Sequence, residues 1–103
     1  MRMLHGTARR NLSSICRRGI LSEHSKGARK SVWLCTPGNL AFAIRHAMRR
    51  HNLKFNDVCV IEVNVPRSWL RKSKGKGVKH TGGRDVPPER IVSAMLVTKL
   101  EGY

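Results

Sequence analysis

At 103 residues the chain is long enough for one hydrophobic core and too short for two, which excludes extra catalytic lobes and large insertions. Lys and Arg number 21 against six acidic residues, giving a formal net charge of +15. Such a surface steers polyanions toward it: nucleic acid comes first among partners, a phosphate-rich cofactor second, an anionic membrane third, and a solvated basic face with no specific partner is the plain alternative.

In chain order, residues 1–5 are expected to form a short strand. Thr7 is placed to cap a helix whose apolar stripe is Leu12, Ile15 and Cys16, with Gly19 ending it. Residues 22–30, rich in Ser, Gly, Lys and Arg, read as an exposed loop, and residues 31–36 as the second strand. Thr36 before Pro37 supplies a cap and an N1 proline for a helix from Pro37 to His51. Its inner side would be Leu40, Ile44, Ala47 and Met48, with Arg45, Arg49, Arg50 and His51 on or beside its polar face.

The run Val58 to Val65 is apolar on both faces apart from Glu62 and Asn64, the pattern of a central strand, and Pro66 stops it. Between 67 and 84 the charges are Arg67, Arg71, Lys72, Lys74, Lys76, Lys79 and Arg84, with no acid and with Gly75, Gly77, Gly82 and Gly83 among them. This reads as a basic, flexible segment around one short strand near Val78. Asp85 to Ile91, with Pro87 and Pro88, is a rigid turn, and Val92 to Leu100 a final strand. The order β-α-β-α-β-β-β predicts an α+β fold: one compact domain with mixed, mostly antiparallel sheets and two helices.

Cys16, Cys35 and Cys59 are odd in number, widely spaced and apolar-flanked, and read as buried reduced thiols. No Cys-x-x-Cys pair or spaced His cluster suggests a metal site. No apolar run approaches the roughly 20 residues that a membrane helix needs. A soluble, cytoplasmic protein is therefore expected. The first 22 residues, with arginines and serines and no acid, also have the composition of a mitochondrial transit segment, although His5-Gly6-Thr7 argues for folded structure there.

A strand that ends in Gly6-Thr7 and enters a helix would present backbone N–H groups and a hydroxyl at a helix N-terminus, where anions are favoured. The same residues also suit a plain helix cap. Context adds to this. His5-Gly6-Thr7 is followed by a helix end at Gly19-Ile20-Leu21, by Arg29 to Thr36, and by a helix end at Arg49-Arg50-His51. The 58–65 strand, Gly77 to Thr81 and Asp85 to Ile91 then follow in order. This succession, from Leu4 to Ile91, resembles the ADP-ribosyltransferase-like lobe of the tRNA 2′-phosphotransferase family, which uses NAD.

The resemblance implies an ADP-ribosyltransferase-like fold with NAD in a cleft between the His5 strand and the 78–88 segment. It implies cofactor contacts from His5, Gly6, Thr7, Thr36, Thr81 and Asp85, with the His5 imidazole and Thr7 hydroxyl on the adenosine ribose or diphosphate. Arg29 takes the place of the arginine on the phosphate groups, and with His80, which lies beside Thr81, it forms the candidate catalytic pair. Trp33 stands where the family has a histidine. The family's Arg-His pair, carried on an N-terminal winged-helix lobe, has no counterpart among these residues, and Glu89 is the glutamate nearest the place where the wider group has one.

An arginine-rich cleft without a carboxylate suits an acceptor that is already an anion, because no general base is then needed at neutral pH. The expected activity is NAD-dependent ADP-ribosyl transfer, or 2′-phosphotransferase-like chemistry on a nucleic-acid or nucleotide phosphate. Arg71, Lys72, Lys74, Lys76 and Lys79 are the candidate contacts to an RNA backbone. The alternatives are a basic nucleic-acid-binding module without turnover and a small interaction protein. Trp33 and Trp69 suit either core packing or base stacking. His24, His46 and His51 read as surface histidines.

Overall fold

A computed structural model describes residues 1–24, 31–73 and 75–97. Strand β1 (Arg2–Ala8) leads through a 3-10 turn at Arg9–Asn11 into helix α1 (Leu12–Arg18). Strand β2 (Trp33–Cys35), a 3-10 turn at Pro37–Asn39 and helix α2 (Leu40–His51) follow, then strands β3 (Val58–Asn64), β4 (Arg71–Lys72), β5 (Val78–His80) and β6 (Ile91–Leu96). All the pairings are antiparallel, in the order β4-β5-β2-β1-β3-β6. The fold is α+β.

The two-sided apolar run 58–65 is the reason the sheet is covered on both faces. Side chains alternate across a strand. Cys59, Ile61 and Val63 join Met3, Ile15, Ile20, Leu34 and Val86 in one cluster, while Val58 and Val60 join Leu4, Ala43, Ile44 and Ala47 in another. Helix α1 thus lies over one face and α2 over the other. Leu40 and Met48 of α2 are partly buried against the second cluster, as their helical spacing predicts. Asn52 ends α2 in the left-handed conformation, φ 51°, and Leu53 N–H closes the turn on the Met48 carbonyl at 2.9 Å.

Two glycines are required by close approach. A Cβ on Gly6 would fall onto the Ala43 carbonyl oxygen and lie 2.9 Å from the Ala43 carbonyl carbon, so the α2 backbone rests directly on β1 there. Gly19 follows α1 with φ 81°, and a Cβ on it would strike the Val86 carbonyl. That proximity lets Ile20 and Val86 exchange backbone hydrogen bonds of 2.8 and 2.9 Å.

Several expectations are corrected. Strand β1 runs to Ala8, so His5, Gly6 and Thr7 lie within a strand and not at a helix N-terminus. The cause is the neighbour: all seven residues of β1 pair with β3, from Arg2↔Asn64 to Ala8↔Val58. Helix α1 begins at Leu12, preceded by the turn. Cys16 is exposed, whereas Cys35 and Cys59 are buried. Ser22–His24 forms a 3-10 turn with Ser22 buried, and residues 25–30, the rest of the expected loop, lie outside the described residues. A strand at Arg71–Lys72 appears where none was expected, and the last strand is described from Ile91 to Leu96. Among the described residues no helix is long and apolar enough to cross a membrane, and no cluster of His, Cys, Asp and Glu could hold a metal ion.

Candidate functional site

The sheet has a split. Strand β1 holds β3 along its full length but meets β2 only at Leu4↔Cys35, while β2 turns its other edge to β5 over Trp33–Cys35. Past Leu4 the pairing of β1 with β2 stops, and a cavity of about 360 Å3 opens there, within the usual size of small-molecule sites. His5, Gly6 and Thr7 form its β1 wall and Trp33 its β2 wall. Helix α1 and the turn before it contribute Arg10, Asn11 and Ser14; helix α2 contributes Phe42, His46, Arg50 and His51.

His5 bridges the split. Its Nδ1 lies 2.9 Å from the Trp33 carbonyl, which can only accept, so Nδ1 carries the proton. Burial is the main cause that lowers the His5 pKa, with His51 and His46 adding to it and the Trp33 carbonyl opposing it. The ring is neutral at pH 7, and its Nε2 is an acceptor. His46 is also held toward the neutral form, first by burial and then by Arg50, Arg49 and His51. Fixed positive charge in the cavity therefore comes from Arg10 and Arg50, and no Asp or Glu is among its described lining residues. The buried Trp33 Nε1 has no hydrogen-bond partner among the described residues. A lone buried donor costs about 1–3 kcal/mol.

Of the residues singled out in the sequence, His5, Gly6 and Thr7 line this cavity. Thr7 is buried and its Oγ1 accepts a hydrogen bond from Asn11 Nδ2 at 3.2 Å; Gly6 serves the packing of α2. Arg29 and Lys74 lie outside the described residues.

Thr36, His80, Thr81 and Asp85 are placed elsewhere, because β5 lies on the far side of β2 from β1. Of residues 78–88 only Val78 reaches the cavity. This cavity is thus bounded by β1, β2 and the two helices, with Val78 its one lining residue from the 78–88 segment. Thr36 Oγ1 accepts from Asn39 Nδ2 at 2.7 Å. Thr81 Oγ1 accepts from Val32 N–H at 3.1 Å and donates to the Arg84 carbonyl at 2.5 Å. Asp85 Oδ1 accepts from the Ser22 N–H at 2.7 Å and its hydroxyl at 2.8 Å. His80 is buried behind the cavity wall: its Nδ1 accepts from Gly82 N–H at 3.1 Å, and its ring sits 5.1 Å from that of Trp33. His80 and Thr81 thus hold the chain beside β2, Thr36 the turn that follows it, and Asp85 the turn at Ser22–His24.

Arg71 and Lys72 are exposed on the edge strand β4, Lys76 is exposed in the turn after it, and Lys79 is half-buried on β5. Trp69 packs against the first core cluster with the Arg84 and Arg90 guanidinium groups 4.6 and 5.2 Å from its ring, so its face is already covered. Glu89 sits exposed in the turn Pro88–Arg90, outside the cavity lining.

Sequence reasoning missed Arg10, Asn11, Ser14 and Phe42. The signal in the sequence was helical spacing: Phe42 and His46 stand at i and i+4, so their rings meet on one face. No protein-family model matches the chain, and no curated protein sequence matches it.

Proposed function

We propose that the cavity at the β1/β2 split binds NAD and that the protein transfers its ADP-ribosyl group to an anionic acceptor, a phosphate of a nucleic acid or nucleotide. The observation that carries this reading is the composition of the cavity wall: a neutral His5 and two arginines line one space, with no carboxylate among its described lining residues. Bound NAD would supply a ribose carbon bearing an already cationic leaving group.

The roles of the chain follow from its donors and acceptors. Arg10 and Arg50 suit the diphosphate, which guanidinium groups can hold through paired hydrogen bonds. His5 Nε2 suits a ribose hydroxyl that needs an acceptor. Holding both reactants in one space converts an encounter into a positioned event, and the arginines stabilise negative charge throughout it. A phosphate acceptor needs no base, which fits a wall with no Asp or Glu among its described residues.

The same wall favours a second reading, a module that holds nucleotides without turning them over, because no Asp or Glu among its described residues is present to activate a neutral nucleophile. Release of nicotinamide from NAD, followed by chromatography with and without phosphate-terminated RNA, separates the two. RNA-stimulated release that falls with His5→Ala supports the transferase. NAD binding without release supports the module.

A further inference from the structure

Helix α2 carries an outward stripe that the core does not use. Phe42, Arg45, His46 and Arg49 stand at i, i+3, i+4 and i+7, hence on one face, and together they line a shallow depression of about 160 Å3. Phe42 is 38% exposed, an unusual position for a phenyl ring on so polar a helix face. Its ring stacks on that of His46, with centroids 5.5 Å apart and planes inclined by 21°. Phe42 and His46 also line the main cavity, so the depression adjoins it. Residues 36–56 contain no acidic side chain.

We propose that this stripe seats the acceptor strand: one base of a single-stranded nucleic acid stacks on Phe42, and Arg45 and Arg49 hold the flanking phosphates beside the main cavity. The proposal rests on the reading of that cavity as the nucleotide site and specifies how the second substrate reaches it. A partly exposed phenyl ring and two guanidinium groups one helical turn apart match what a nucleotide offers, a flat base and a negative backbone. An acidic peptide would engage the arginines and leave the ring without a matching plane. The basic edge at Arg71, Lys72 and Lys76 has charge, but the nearby Trp69 ring already holds two guanidinium groups, at 4.6 and 5.2 Å from its centroid.

The test is fluorescence anisotropy with fluorescein-labelled single-stranded RNA of about ten nucleotides, a typical site size, and with DNA of the same sequence as a parallel arm. Phe42→Ala should weaken binding about tenfold, the worth of one stacked base, and Phe42→Trp should restore it. The Arg45→Ala, Arg49→Ala double variant should flatten the slope of log affinity against log salt by about 1.4, or about 0.7 for each phosphate released. Equal binding of RNA and DNA, or a preference for RNA, is compatible with the site, since both present base and phosphate.

Wild-type affinity in Phe42→Ala, with loss only when Lys72 and Lys76 are replaced by alanine, would overturn the proposal and route the strand along β4 and β5. A loss that Phe42→Trp fails to recover would also overturn it, because any planar ring should serve. Titration with NAD distinguishes the two levels. NAD binding with Phe42-independent RNA binding sinks the stripe alone; Phe42-dependent RNA binding without NAD binding sinks the cavity reading and leaves the stacking site.

Discussion

Replacing Gly6 by alanine tests whether the cavity wall depends on the contact between α2 and β1. The added methyl would meet the Ala43 carbonyl oxygen and carbon and would stand 3.2 Å from the Ala47 Cβ. Two of these three atoms are helix backbone, so no rotamer change relieves the clash and α2 itself must move. Overpacking in a core costs about 1–3 kcal/mol, and a rigid backbone neighbour places Gly6→Ala at the upper end. For a domain of this size each kcal/mol lowers the melting temperature by about 4–8 °C, so a fall of roughly 12–24 °C is expected. Thermal unfolding followed by circular dichroism measures it, with Gly38→Ala as the control. A Cβ there meets nothing within 4 Å, and the substitution should be neutral or slightly stabilising. A Gly6→Ala protein that melts with the wild type would refute the close packing of α2 on β1, and with it the placement of Phe42, His46 and Arg50 around the cavity.

Thr81→Val keeps the shape of a buried residue but leaves the Val32 N–H without its acceptor, so urea unfolding should show a loss of about 2 kcal/mol while NAD affinity holds. A loss of NAD affinity with unchanged stability would return Thr81 to the ligand. Burial lowers the pKa of His5 and His46 from the ordinary 6.5, so the unfolded chain takes up protons at higher pH than the folded one. Their contribution to stability is complete above about pH 6.5 and falls as the pH drops below it, which urea midpoints at about pH 7 and pH 5 would register. A higher midpoint at the lower pH would contradict this sign. Burial pushes the Cys35 thiol up to about 11 and also raises that of Cys59, whereas Cys16 is exposed. A thiol-reactive chromophore at pH 8 should label one cysteine rapidly in the native protein and all three after denaturation; rapid native labelling of two would contradict it.

The parts of the fold that declare themselves in the sequence are those whose own pattern decides their environment. The two-sided apolar run at 58–65 can only be a covered strand, and Leu40, Ile44, Ala47 and Met48 trace one helical stripe. Local signals failed where pairing overrode them. Thr7 has the chemistry of a cap, yet pairing with β3 carries the strand through it to Ala8. The location of the cavity was hidden for a similar reason. The order β5-β2-β1 puts residues 78–88 behind β2, and no local pattern encodes that order. Arg10, in the turn before α1, and Phe42, on α2, both line the one cavity. His5, singled out with Gly6 and Thr7 for its place in the succession of motifs, stands in the strand that forms the edge of the split.

The central claim is that NAD occupies the space between the parted strands. Calorimetric titration with NAD of the wild type, Ser14→Trp and Arg10→Glu tests it most directly, because the first variant fills the cavity from α1 and the second reverses a charge in its wall without touching the core. The account predicts saturable one-to-one binding by the wild type, none by Ser14→Trp and weakened binding by Arg10→Glu. Equal affinity in all three, or no binding by the folded wild type, would contradict it.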